Sequence, residues 1–171
     1  GSRMFLEIDS KVTVKDLLYG IIVQSGNDAS VAVAENISGT EEEFVKLMND
    51  YANEFRMDNT NFVNSSGWPN PNHYSSMMDI AKISKNIIKD FPELYKIFAK
   101  KKFIYNNIRQ PNRNPLLYSY NGADGLKTGY VNNAGFGIAS TVNTGGRRII
   151  IVVNGLRSAK ERKEEITKLF D

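Results

Sequence analysis

The first hundred residues of the chain carry apolar positions at helical spacing, and the remainder alternates in the manner of strands. Thr13, with Asp16 three residues later, predicts a helix start, a variant of the capping box, and Val14, Leu17, Leu18, Ile21 and Ile22 then share one helical face. Gln24-Ser25-Gly26-Asn27-Asp28 interrupts this pattern with turn-forming residues. A second apolar helix follows over 29–37, rich in alanine and valine and expected to be buried on most sides. Thr40-Glu41-Glu42-Glu43 predicts a full capping box for a helix reaching Phe55, with Phe44, Leu47, Met48, Tyr51 and Phe55 as its core stripe. Residues 59–74 are rich in Asn, Ser, Gly and Pro and read as a long loop, a length that in compact domains often serves function. Ser76 with Asp79 caps another helix to about Ile88, and Pro92 opens a short one.

Beyond Lys100 the period changes. Phe103-Ile104-Tyr105 reads as a strand and 106–115 as a polar connection. Three strands are predicted over 126–131, 136–142 and 148–153, the last two joined by Asn143-Thr144-Gly145-Gly146, which suits a hairpin turn. Ser158-Ala159-Lys160-Glu161 caps a closing helix bearing Ile166, Leu169 and Phe170. Helices, then an antiparallel meander and a final helix, predict an α+β fold with helices packed on a sheet. Its helical part covers about 12–99 and its sheet and final helix about 100–171, within one domain of 171 residues.

Composition narrows the chemistry. The chain is 41% hydrophobic and 24% charged, enough for a packed core. Its formal charge is +3, and Lys100-Lys101-Lys102 and Arg147-Arg148 do not gather on one element, so solvated surface is favoured over nucleic-acid binding. There is no cysteine, which removes disulfides, thiol catalysis and Cys-type zinc sites. The single histidine, His73, lies in a polar loop and is expected to face solvent, so neither a His-based metal site nor a Ser-His-Asp triad is expected. No metal or cofactor is predicted.

The sharpest local signal is Lys127-Thr128-Gly129, preceded by Asp124-Gly125-Leu126. An ammonium, a hydroxyl and a backbone opened by glycine suit the anionic end of a substrate when the strand borders a cleft. A Lys–carboxylate contact in a partly shielded cleft is worth ~4 kcal/mol before desolvation is subtracted. An exposed lysine on a strand beside an ordinary turn fits the tripeptide equally well. Ser25-Gly26-Asn27 is weaker still, since Ser84-Lys85-Asn86 and Ser119-Tyr120-Asn121 share its pattern. Context favours Ser25, at a turn between two apolar helices, although Ser and Asn there also serve simply as helix caps.

Together the two motifs, in this order and about a hundred residues apart, match the Ser-x-Asn and Lys-Thr-Gly elements of β-lactamases and penicillin-binding proteins. The surrounding 20–29, Tyr74-Ser75-Ser76, 108–114 and Asp124-Gly125-Leu126 text resembles the serine D-alanyl-D-alanine carboxypeptidases among the low-molecular-mass penicillin-binding proteins, the 5 and 6 group, from about Met4 onward. The resemblance implies a β-lactamase/transpeptidase-like α+β fold with an antiparallel sheet flanked by helices, its N-terminal part missing. It implies that Ser25 relays a proton between nucleophile, lysine and leaving amine, and that Asn27 binds the substrate amide side chain. Lys127, Thr128 and Gly129, with Arg113 assisting, would hold the terminal carboxylate of a peptidoglycan pentapeptide stem, and the Tyr130 N–H would supply half of an oxyanion hole. The reaction would pass through an acyl-serine, β-lactam antibiotics would stall there, and the setting would be extracytoplasmic. The spatial requirement is that the Ser25 turn and the Lys127 strand face one cleft.

Two features depart from that pattern. No serine of the chain has a lysine three residues on, and only 24 residues precede Ser25, so the nucleophile is expected upstream of this chain. The expectation is a catalytically dead fragment with apolar faces exposed on the Thr13 and Ala29 helices, open to self-association. Tyr130 stands where some relatives have histidine, which leaves substrate preference open. The chain also ends before the second domain and membrane-binding helix of many relatives, so membrane association would come only through segments outside it. A class A β-lactamase would need a glutamate that 55–91 lacks. A non-catalytic binder of peptidoglycan stems is the other alternative.

Overall fold

The computed structural model describes all of residues 1–171. Its elements are helices α1 (Val14–Tyr19), α2 (Asn27–Ser38), α3 (Glu41–Glu54), α4 (Met77–Asp90), α5 (Pro92–Tyr95) and α6 (Leu116–Ser119), with α7 (Ala159–Phe170) last. The strands are β1 (Lys102–Tyr105), β2 (Ile108–Pro111), β3 (Ala123–Val131), β4 (Gly135–Thr144) and β5 (Arg147–Leu156). They fall into two compact units, one of Gly1–Tyr74 with Lys100–Asn112, the other of Ser75–Ala99 with Arg113–Asp171. No helix is long and apolar enough to cross a membrane.

In the first unit, Thr13 caps α1 as predicted, its hydroxyl accepting from the Asp16 N–H at 3.0 Å. The helix then widens into a π-type turn over Gly20–Gln24 and stops at Ser25, which is left-handed at φ 59°. Leu17, Val23 and Ala29 pack with Met4 and with Phe103 of β1, whose ring lies 5.6 Å from that of Tyr19. The predicted exposure of the Thr13 and Ala29 helices is therefore corrected: Leu17, Val23, Ala29 and Ala34 are covered, and only outlying Val14 and Ile37 remain open. Nor is α2 buried on most sides, because Glu35, Asn36 and Ile37 are exposed.

Thr40 caps α3 through the Glu43 N–H at 3.2 Å, while the Glu43 carboxylate pairs with Lys46 one turn on instead of closing the box. The α3 stripe shifts as well, Ala52 being buried and Tyr51 half-exposed. Residues 106–115 are not a plain connection. Ile108–Pro111 pairs antiparallel with β1 across Asn106-Asn107, both at positive φ as a two-residue hairpin demands. One apolar residue in four hid that strand.

In the second unit, β3, β4 and β5 form an antiparallel sheet in that order, with Gly145 and Gly146 at positive φ in the predicted hairpin turn. Ala139 and Val152, opposite each other on β4 and β5, pack with Leu126 of β3 against Tyr95, Phe98, Ile80 and Ile87 of the α4–α5 side. Ile138, Ile151 and Val153 go to the other face, against Leu116 and α7 residues Ile166 and Phe170. Short α6 was not predicted, and Leu169 of α7 turns out exposed. Helices on both faces of an antiparallel sheet give the expected α+β class.

Candidate active site

Ser25 and Asn27 belong to the first unit, and Arg113, Lys127, Thr128, Gly129 and Tyr130 to the second. The Ser25 turn is built by the segment at 2–6. The Asn27 N–H donates to the Ser2 carbonyl at 3.0 Å, and Gln24 Nε2 to the Arg3 carbonyl at 3.2 Å. Asp28 completes the clamp. Its Oδ1 accepts from Met4 N–H at 2.8 Å and its Oδ2 from Phe5 N–H at 2.8 Å and Leu6 N–H at 3.1 Å. Burial alone would raise the Asp28 pKa, but these main-chain donors and that of Ala29 outweigh it and hold the carboxyl below its ordinary range. Gly26 leaves little room for a side chain: a Cβ there would stand 3.0 Å from Asp28 Oδ1 and 3.1 Å from the Met4 backbone nitrogen, so the neighbours would have to give by a few tenths of an ångström.

His73 is half-buried rather than solvent-facing. Its Nδ1 accepts from the Val63 N–H at 3.3 Å, its ring meets Phe62 edge-on at 5.6 Å, and burial keeps it below its usual pKa. It ties the 59–74 loop together. No group of three or more His, Cys, Asp or Glu is placed to hold a metal.

Lys127-Thr128-Gly129 lies on β3, an edge strand of its sheet. Thr128 is buried, and a Cβ built on Gly129 would meet nothing within 4 Å, so the main chain there is open to approach. The Lys127 ammonium donates to the Thr128 carbonyl at 2.8 Å. Burial, then the positive charges of Arg113 and Arg162, push its pKa down to about 8. Tyr130 is exposed, its ring 4.3 Å from that of Phe136 and its hydroxyl donating to Asn132 at 2.8 Å.

Arg162 is a further candidate site residue, one that no motif in the sequence marks. It is buried on α7, with Nη1 on the Gly137 carbonyl at 3.5 Å, Nη2 on the Arg113 carbonyl at 3.3 Å, and Nε without a partner. Burial and Arg113 lower its pKa. A buried cation beside two others is costly unless an anion is received there. The signal was available: Arg162 sits four residues before Ile166, on the apolar stripe of α7.

The start of β3 is braced by side chains. Asp124 accepts from Arg148 at both oxygens (2.6 Å each), from Thr141 Oγ1 at 2.6 Å and from Tyr95 Oη at 2.8 Å. Burial would raise its pKa, and these bonds, Arg148 foremost, hold it below the ordinary range. For Tyr95, burial and the neighbouring Asp124 push the phenol up.

Residues 1–158 match the family model described as D-alanyl-D-alanine carboxypeptidase, peptidase S11. The chain is 46% identical over 172 residues to D-alanyl-D-alanine carboxypeptidase DacA of Haemophilus influenzae, covering 99% of this chain and 44% of that protein. Among solved structures it is similar to penicillin-binding protein 5 of Haemophilus influenzae, with a TM-score of 0.97, 46% identity, and coverage of 99% of this chain and 50% of that one. It is also similar to penicillin-binding protein D2 of Listeria monocytogenes in an ampicillin-bound form, with a TM-score of 0.89, 28% identity, and coverage of 99% and 71%. The chain spans less than half the length of the curated relative just named. It has the fold of the penicillin-binding proteins, and it belongs to the D-alanyl-D-alanine carboxypeptidase family.

Proposed function

We propose that the protein containing this chain is a serine D-alanyl-D-alanine carboxypeptidase that trims peptidoglycan stem peptides outside the cytoplasm and is acylated by β-lactams. The observation that carries this reading is the meeting of Lys127, Arg113 and Arg162 beside an open strand edge, three cations whose mutual repulsion a substrate carboxylate relieves. Lys127 and Thr128 receive that carboxylate, and Arg113 and Arg162 add charge behind it. Gly129 keeps the main chain accessible, and the Tyr130 N–H donates to the developing oxyanion. Ser25 passes the proton from nucleophile to leaving D-alanine, and Asn27 binds the substrate amide. The ampicillin-bound relative supports penicillin sensitivity of the same fold.

Because no serine here has a lysine three residues on, this chain by itself binds without acylating. The test is calorimetric binding of an acetylated tripeptide ending in D-Ala-D-Ala, alongside its C-terminal amide, with fluorescent penicillin as a covalent probe. The expected result is binding of the acid at least about tenfold over the amide, for the loss of one charge-assisted contact, and no covalent labelling. Equal binding of acid and amide overturns the carboxylate assignment. Labelling of the 171-residue chain overturns its inactivity.

A further inference from the structure

Asn114 follows Arg113 directly and has no exposed surface. A primary amide in that position is costly unless its donors and acceptor are used, and a similar-sized apolar side chain would fill the space without that requirement. Here the amide is used for connection. Oδ1 accepts the Leu116 N–H at 3.0 Å, closing the local turn into α6. Nδ2 reaches across to the Gly125 carbonyl at 2.9 Å. That carbonyl lies two residues before Lys127, where the pairing of β3 with β4 shifts register between Ala123 and Gly125. Its second donor, Ser140 Oγ at 3.3 Å, comes from β4 and is also fully buried. The Arg113 carbonyl is meanwhile held by Arg162 Nη2 at 3.3 Å. The backbone carrying Arg113 is thus stapled on one side to the strand of Lys127 and on the other to Arg162.

We propose that Asn114 is a positioning residue that fixes the spacing between the Arg113 guanidinium and the Lys127 ammonium, and through it the geometry of carboxylate recognition. This rests on the carboxylate reading above. Without the Nδ2 bond, the Arg113 turn keeps its local closure but loses this tie to β3. Repulsion between the two cations then moves Arg113 outward.

The test is NMR titration of the 171-residue chain labelled at lysine Cε and Nζ, read together with binding of the D-Ala-D-Ala tripeptide. Two variants separate local from long-range roles. Asn114→Ala removes the bonds to the Leu116 N–H and the Gly125 carbonyl. Asn114→Ser keeps an oxygen for the Leu116 N–H but is too short for Gly125, and it carries the test if the alanine variant does not fold. Ser84→Ala, which removes another buried hydroxyl bonded to the Ile80 carbonyl at 2.6 Å, controls for general loss of stability. Lys127 is expected to titrate near 8 in the parent chain. It should rise by about half a unit or more in the Asn114 variants as the arginine withdraws, with tripeptide binding weakened about fivefold or more, and neither should change in Ser84→Ala. Folded Asn114 variants with parental Lys127 titration and parental binding overturn the proposal. A parent chain that does not bind the tripeptide refutes the carboxylate reading instead, and the Lys127 titration still decides the role of Asn114.

Discussion

Each half of the motif set is anchored by an aspartate, and the two anchors are built from different materials. Asp28, one residue after Asn27, is satisfied wholly by main-chain N–H groups, three of them from the consecutive residues Met4, Phe5 and Leu6. Asp124, three residues before Lys127, is satisfied wholly by side chains: a guanidinium, a phenol and a hydroxyl. Both carboxyls lie below their ordinary pKa although burial opposes it. The consequence for failure differs. Removing Asp28 strands several peptide N–H groups that nothing on their own segment replaces, whereas removing one partner of Asp124 leaves it two others.

The largest effect is therefore expected at Asp28. Asp28→Asn keeps the shape but turns one acceptor into a donor facing N–H groups, and should cost about 3 kcal/mol in urea denaturation, with early proteolytic cleavage at 3–6. The pH dependence has a defined sign. A carboxylate whose folded pKa is depressed contributes stability that is fully present above the unfolded value of about 4 and is lost as pH falls through the folded value. The gap between parent and variant should thus be widest at neutral pH and close below pH of about 4. A gap independent of pH would mean that the charge of Asp28 does not organise the segment.

Arg148→Met comes next. It removes the bidentate partner of Asp124 and the cation stacked 5.0 Å from the Tyr95 ring. Because the Arg148 and Asp124 side chains are 24% and 30% exposed, the expected loss is about 2 kcal/mol, below that of a fully buried pair. Pairing it with Asp124→Asn should recover part of the loss, since no carboxylate is then left uncompensated. Strictly additive losses would show that Asp124 and Arg148 act separately, and the contrast with Asp28 would fail.

What the sequence made legible follows the range of the interactions. Caps at Thr13, Thr40, Ser76 and Ser158 and the Gly145-Gly146 turn are local, and each was read from residues within four positions. The family motif at 127–129 was equally local. The bonds that give it physical meaning were not: Asn114 to Gly125, Arg148 to Asp124 and Arg162 to the Arg113 carbonyl span 11, 24 and 49 positions. Strand β2 escaped notice because its surface-exposed ladder imposes no apolar alternation, leaving only Asn106-Asn107 as a signal. Covering of the α1 and α2 faces depended on Phe103, some seventy residues away, packing beside Met4.

The two ends of β3 itself differ in the same way, one braced and one open. At Gly125, inside the braced start, a Cβ would stand 2.5 Å from Tyr95 Oη, among the bonds that hold Asp124. At Gly129 nothing lies within 4 Å, and its φ is not in the left-handed region, so alanine can adopt the same backbone. Gly129→Ala should change stability by less than about 0.5 kcal/mol, and in the stabilising direction, because alanine loses less chain entropy on folding. Thermal melts give that number, and the tripeptide gives the other half: a methyl group on an open strand edge obstructs only what docks there. A variant that melts like the parent but no longer binds locates recognition on the strand edge itself. One that binds undiminished shows that the freedom of Gly129 has no bearing on the ligand.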